Sequence, residues 1–134
     1  MNSLKIQIPS IVENIRIVES FIDNVKDKYK IDDDIYGNIM IAVTEAVNNA
    51  IKHGNNCDKN KNVTLTAVYE ETLVRFIVED EGPGFDPDKL PDPTAPENLE
   101  KIGGRGIFLM MQLSDEVNFT NEGKMIEMVF HFPY

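Results

Sequence analysis

Apolar and polar residues alternate along Leu4-Lys5-Ile6-Gln7-Ile8, the period of a half-buried strand, and Pro9 closes it. From Ser10 the period lengthens. Ile11, Ile15, Val18, Ile22 and Val25 recur at helical intervals, and Ser10 and Glu13 have the spacing of a capping box, so a first helix is predicted from Ser10 to about Lys28. The run Asp32-Asp33-Asp34 supplies an N-cap and first-turn negative charge for a second helix, with Gly54 as its stop. Along that helix Ile35, Ile39, Ala42, Val43, Ala46, Val47 and Ala50 mark one face, while Glu45, Asn49 and Lys52 or His53 recur on another.

Two strand-like runs follow, 62–70 and 72–80, read as a hairpin through a polar turn around Glu70–Thr72 and ending on Asp80. Gly82, Gly84 and the prolines 83, 87, 91, 93 and 96 make 82–102 a long loop, a length that often serves as a lid. Gly103-Gly104-Arg105-Gly106 then leads into a third helix, roughly Ile107–Leu113. Strands at Glu116–Thr120 and Met125–Phe132 flank an Asn121-Glu122-Gly123 turn. The order β-α-α-β-β-loop-α-β-β predicts an α/β (α+β) two-layer sandwich, a mostly antiparallel mixed sheet covered on one face by helices.

Length bounds this picture, since 134 residues suit one core and leave no room for two ordinary domains, so 1–134 is read as a single unit. Apolar residues at 42% and charged residues at 27% are ordinary for a globular chain. A formal net charge of −10 argues against nucleic acid or an anionic membrane as the main partner, since both need a basic footprint. A polyphosphate remains open, because backbone N–H groups and a metal ion can neutralise it. The start lacks a signal-peptide core and no stretch approaches a membrane span, which points to the cytoplasm. The single cysteine, Cys57, forms no intramolecular disulfide and is read as an incidental thiol.

Three segments carry candidate chemistry. Asn48 and Asn49 weaken the second helix, and Asn49 could present its carbonyl oxygen to a hard cation such as Mg2+ with Glu45 one turn earlier; a solvated helix face explains the same pair. Asp80-Glu81-Gly82-Pro83-Gly84 delivers a carboxylate into a turn whose glycines permit positive φ and close approach of a ligand, with Asp80 placed to accept from an exocyclic amine; a bland turn is the alternative. Gly104-Arg105-Gly106 stands before an amphipathic helix, as phosphate-binding loops do, or as any tight junction does. Arg105 could pair with a phosphate or a partner's acid, or face solvent. His53 and His131 lack the companions of a zinc site and are read as structural or peripheral.

In this order, Glu45-x-x-x-Asn49, Asp80-x-Gly82-x-Gly84 and Gly104-x-Gly106 resemble the N, G1 and G2 boxes of the GHKL (histidine kinase-like) ATPases. The resemblance is closest to the anti-sigma factor serine/threonine-protein kinases and extends over essentially the whole chain. It implies ATP between helices and sheet, with Asn49 the Mg2+ ligand, Asp80 the adenine reader, Gly82 and Gly84 the turn admitting the base, and Gly104 and Gly106 the phosphate cradle. Glu45 resembles the general base that accepts the proton of an attacking serine. The resemblance further implies two partners, an anti-sigma factor antagonist bearing that serine and a sigma factor held inactive, and leaves a homodimer open. A non-catalytic ATP-binding regulatory module is the alternative. One departure is Gly123-Lys124-Met125, where some relatives carry a threonine that helps order water at the adenine.

Overall fold

The computed structural model describes residues 2–83 and 104–133. Strand β1 (Ser3–Pro9) pairs with β2 (Asn62–Tyr69), β2 with β3 (Leu73–Glu79), β3 with β5 (Met125–His131), and β5 with β4 (Glu116–Thr120). Every ladder among the described residues is antiparallel, so the expected mixed sheet is an antiparallel one. Register makes the faces distinct. Ile6, Leu65, Val78, Ile126 and Phe119 fall opposite one another across all five strands, and Leu4, Ala67, Phe76, Met128 and Val117 form the neighbouring row. Both rows turn toward the helices, because side chains alternate faces along a strand. The row between them, Lys5, Thr66, Ile77, Glu127 and Asn118, lies on the opposite face, where Asn118 donates to Glu127 at 3.0 Å.

Three helices cover the apolar face: α1 (Ile15–Tyr29), α2 (Asp33–Asn49) and α3 (Gly104–Leu113). The middle one, α2, packs against both neighbours and against β3 and β5, and its residues Ile39, Ala42, Val43, Ala46 and Val47 are buried. Alanine every fourth position lets it sit close to the sheet. Phe76 and Phe130, meeting edge to face at 6.1 Å, fill the layer beneath. Asp32 caps α2 as expected, its side chain accepting the Asp34 N–H.

The first helix departs from the expected start. A 3-10 turn occupies Val12–Asn14 and α1 begins at Ile15. Ser10 is fully buried and its hydroxyl donates to the Lys61 carbonyl at 2.7 Å, so it serves a contact 51 residues away instead of a capping box. The helical run that α2 begins stops at Gly54 as expected, but its last turn, Ala50–Gly54, is a π turn. The third helix begins earlier than Ile107, taking Gly104, Arg105 and Gly106 as its first turn. Gly84, the remainder of the 82–102 loop beyond Pro83, and the side chain of Arg105 lie outside the described residues.

Candidate functional site

The outer flank of α2 carries Glu45 and Asn49 one turn apart, both half-buried, because the alanine and valine positions between them claim the core. The first turn of α3 passes directly over Glu45. A Cβ added to Gly106 would lie 3.3 Å from Glu45 Oε2 and 3.9 Å from the Glu45 carbonyl, so the helix N-terminus lies against the carboxylate with little room for a side chain. Free N–H groups of such a turn, with the helix dipole behind them, attract phosphate. Asn48, beside Asn49, has a buried side-chain carbonyl oxygen with no hydrogen-bond donor among the described residues.

Five residues beyond Asn49, the π turn brings Gly54 against the end of β3. The segment 80–82 is held by three hydrogen bonds to other segments and one within itself. Asp80 N–H donates to the Lys124 carbonyl at 2.9 Å, Glu81 N–H to Asn55 Oδ1 at 2.8 Å, and Gly82 N–H to Asp80 Oδ1 at 2.8 Å; the Glu81 carboxylate accepts the Asn62 N–H. A Cβ on Gly82 would lie 2.5 Å from the Gly54 carbonyl carbon, and one on Gly54 would lie 2.6 Å from Asp80 Cγ. Gly82 is therefore required for space. Among the described glycines only Gly123 has positive φ, so the expected conformational role at Gly82 is replaced by a steric one.

Asp80 is half-buried, and burial pushes its carboxyl above the ordinary range, with the Gly82 N–H pulling the other way. A partly desolvated acceptor with one oxygen already bonded is suited to reading a neutral N–H donor. His53, in the π turn, is held below its usual range by burial and then by Lys52, and takes no part in these contacts. His131 lies across the sheet beside Glu116, at 3.5 Å.

The structure thus brings Glu45 to Gly106 and Asp80 to Gly82, and α2 with its π turn links the two pairs through Asn49 and Gly54. Among the described residues no three His, Cys, Asp or Glu side chains gather around a metal-sized space. Two contributors escaped the sequence reading: Asn55, which looks like a surface residue after a helix stop, and Gly54, read only as that stop. The doublet His53-Gly54 followed by an asparagine was the available signal. An aromatic pocket lined by Tyr29, Tyr69 and Phe132 lies at the other end of the strands, away from these residues.

Comparison with known proteins agrees with this fold. The family model of the histidine kinase-like ATPase domain matches residues 8–130. The chain is 26% identical over 132 residues to the serine-protein kinase RsbW of Oceanobacillus iheyensis, the alignment covering 93% of this chain and 84% of that one. It is 29% identical over 128 residues to the protein of that name from Staphylococcus aureus strain JH9, covering 89% and 79%. A solved structure of the RsbU and RsbW domains of Rv1364c from Mycobacterium tuberculosis superposes with a TM-score of 0.68 at 17% identity, covering 98% of this chain. The chain spans about a third of that longer one, 32%.

Proposed function

The chain belongs to the histidine kinase-like ATPase domain family, and from that premise we propose that residues 1–134 form a single Mg-ATP-dependent protein-serine kinase domain that also acts as an anti-sigma factor. The observation carrying this reading is the Glu45 carboxylate lying against the glycine first turn of α3. A proton acceptor and a phosphate cradle side by side are what transfer to a hydroxyl requires. ATP is the phosphoryl donor, and Mg2+, when bound, neutralises charge on its phosphates. Asn49 holds the cation through its side-chain oxygen. Asp80 accepts a hydrogen bond from the adenine amine while Gly82 and Gly84 leave room for the ring. The backbone of Gly104 and Gly106 receives phosphate oxygens, with Arg105 beside them.

Glu45 takes the proton of the substrate serine as its oxygen bonds to phosphorus and the bond to the leaving ADP breaks. That serine belongs to an anti-sigma factor antagonist, and the second partner is a sigma factor; the relatives named serine-protein kinase support a serine as the acceptor. The net charge of −10 fits protein partners better than nucleic acid or membrane, and no described helix is long and apolar enough to cross a membrane, in keeping with a cytoplasmic protein.

The test is γ-labelled ATP with Mg2+ and lysate from the protein's own source, with Glu45→Gln in parallel. A labelled protein that keeps its label in acid, and whose labelling falls by about 100-fold or more in the variant while ATP binding persists, is the expected result. ATP binding without any labelled protein would favour a non-catalytic ATP-binding module that controls its partner by association.

A further inference from the structure

Asn55 is 1% exposed and its side chain joins three separate parts of the chain. Its amide nitrogen donates to Ser10 Oγ at 2.8 Å and to the Asn62 carbonyl at 3.0 Å, and its oxygen accepts the Glu81 N–H at 2.8 Å. Its own N–H closes the π turn on the Ala50 carbonyl at 2.8 Å. π turns are rare and concentrate at functional sites. Here the turn is what swings Asn55 inward and sets the Gly54 carbonyl against Gly82.

We propose that Asn55 is a positioning residue that fixes the base-reading carboxylate of Asp80 relative to the cation-binding end of α2, and so sets discrimination between adenine and 6-oxo purines. This rests on the reading of Asp80 given above. The physical argument is one of connectivity. Asn49 and Asn55 belong to one continuous helix end, and Glu81 sits between Asp80 and Gly82. Among the described residues the Glu81–Asn55 bond is the one hydrogen bond joining that helix end to the 80–82 turn. Its other two bonds anchor the amide, one to Ser10 and one to the carbonyl of Asn62, whose own N–H donates to the Glu81 carboxylate from the start of β2. An amide whose four hydrogen-bonding directions are mostly filled, on a side chain itself buried, holds one orientation. A carboxylate that distinguishes an amine donor from a carbonyl acceptor needs that precision, because an error of about 1 Å removes the distinction.

Two kinds of substitution separate positioning from stability alone. Asn55→Ala removes the link to Glu81, whereas Ser10→Ala removes a neighbour on the far side of the same amide. Both should lower the melting temperature. Nucleotide binding is measured by titration of ATP and ITP with Mg2+ on the wild-type chain, both variants and Asp80→Asn. We expect the ATP-over-ITP preference to shrink about tenfold in Asn55→Ala and to stay within twofold of wild type in Ser10→Ala. If Asn55→Ala does not fold, Asn55→Ser replaces it, since a serine hydroxyl is one atom too short to reach Glu81. Wild-type preference retained in the Asn55 variant, or lost equally in Ser10→Ala, would overturn the proposal. Asp80→Asn separates the two levels. If it abolishes preference while the Asn55 variant does not, only the positioning role fails; if it leaves preference intact, or the wild type shows none, the base-reading assignment fails with it.

Discussion

Gly82→Ala should disable nucleotide binding while leaving a folded protein. The added methyl would stand 2.5 Å from the Gly54 carbonyl carbon, where non-bonded carbons rest about 3.5–4.0 Å apart, so one backbone must move by about 1 Å. Neither side is a flexible side chain. A shift of that size takes the 2.8 Å bond from Glu81 N–H to Asn55 well beyond hydrogen-bonding range. Overpacking costs about 1–3 kcal/mol, and the lost bond, on a residue that is itself exposed, about 0.5–1.5 kcal/mol more, a total of about 1.5–4.5 kcal/mol. Against a total stability of about 5–15 kcal/mol the variant stays folded in the cold. Its effect on the site is larger, since moving Asp80 by about 1 Å should weaken ATP on the order of 100-fold. Gly37→Ala is the control. That glycine is exposed within α2 with nothing within 4 Å of an added Cβ, so alanine should stabilise by about 0.5–1 kcal/mol and leave binding alone. Urea unfolding and ATP titration calorimetry read both quantities. Wild-type affinity and stability in Gly82→Ala would refute the steric argument.

Asn49→Ala should change stability by less than about 1 kcal/mol, because the residue is half-buried in a helix that alanine favours, yet reduce ATP affinity in Mg2+ to the level seen in EDTA. A persisting Mg2+ effect in titrations of that variant would remove Asn49 as a ligand. Asp80→Asn tests the buried carboxyl through pH. Burial raises its folded-state value above the ordinary 3.8, so its stabilising share is present below 3.8 and lost as pH rises through the raised value. The variant should therefore melt above the wild type at pH 7 while binding ATP poorly, and its advantage should close as pH falls toward about 4. Melting curves across pH 4–8 that stay parallel would exclude the effect.

How much of this was legible depended on whether each residue's partner lay within its own segment. Strand β4 was read to the residue at Glu116–Thr120, and the Asp32 cap needed only Asp34, two positions on. Ser10 was misread because its hydroxyl finds Lys61 across the sheet, and no local window contains that choice. Gly104 and Gly106 have poor helix propensity, yet they lie inside α3, where a Cβ at Gly106 would crowd the Glu45 carboxylate at 3.3 Å. Asn55 follows a glycine stop and resembles exposed loop, while in fact it is buried among three partners.

These departures are not scattered. Ser10, Gly54, Asn55 and Gly82 meet where the end of α2 touches the end of β3, and Gly106 lies against Glu45 farther back on the same helix. At each of them a long-range contact overrides what the local pattern prefers. Evolutionary pressure on stability alone gives no reason for such overrides to gather in one place, since an ordinary cap, an ordinary helix stop and an alanine would each serve the local fold as well or better. A bound ligand gives one, because it requires several backbone segments to approach more closely than side chains allow. The clustering thus supports the proposed site, along the line from Gly106 through α2 to Asp80, on grounds that do not depend on recognising any motif.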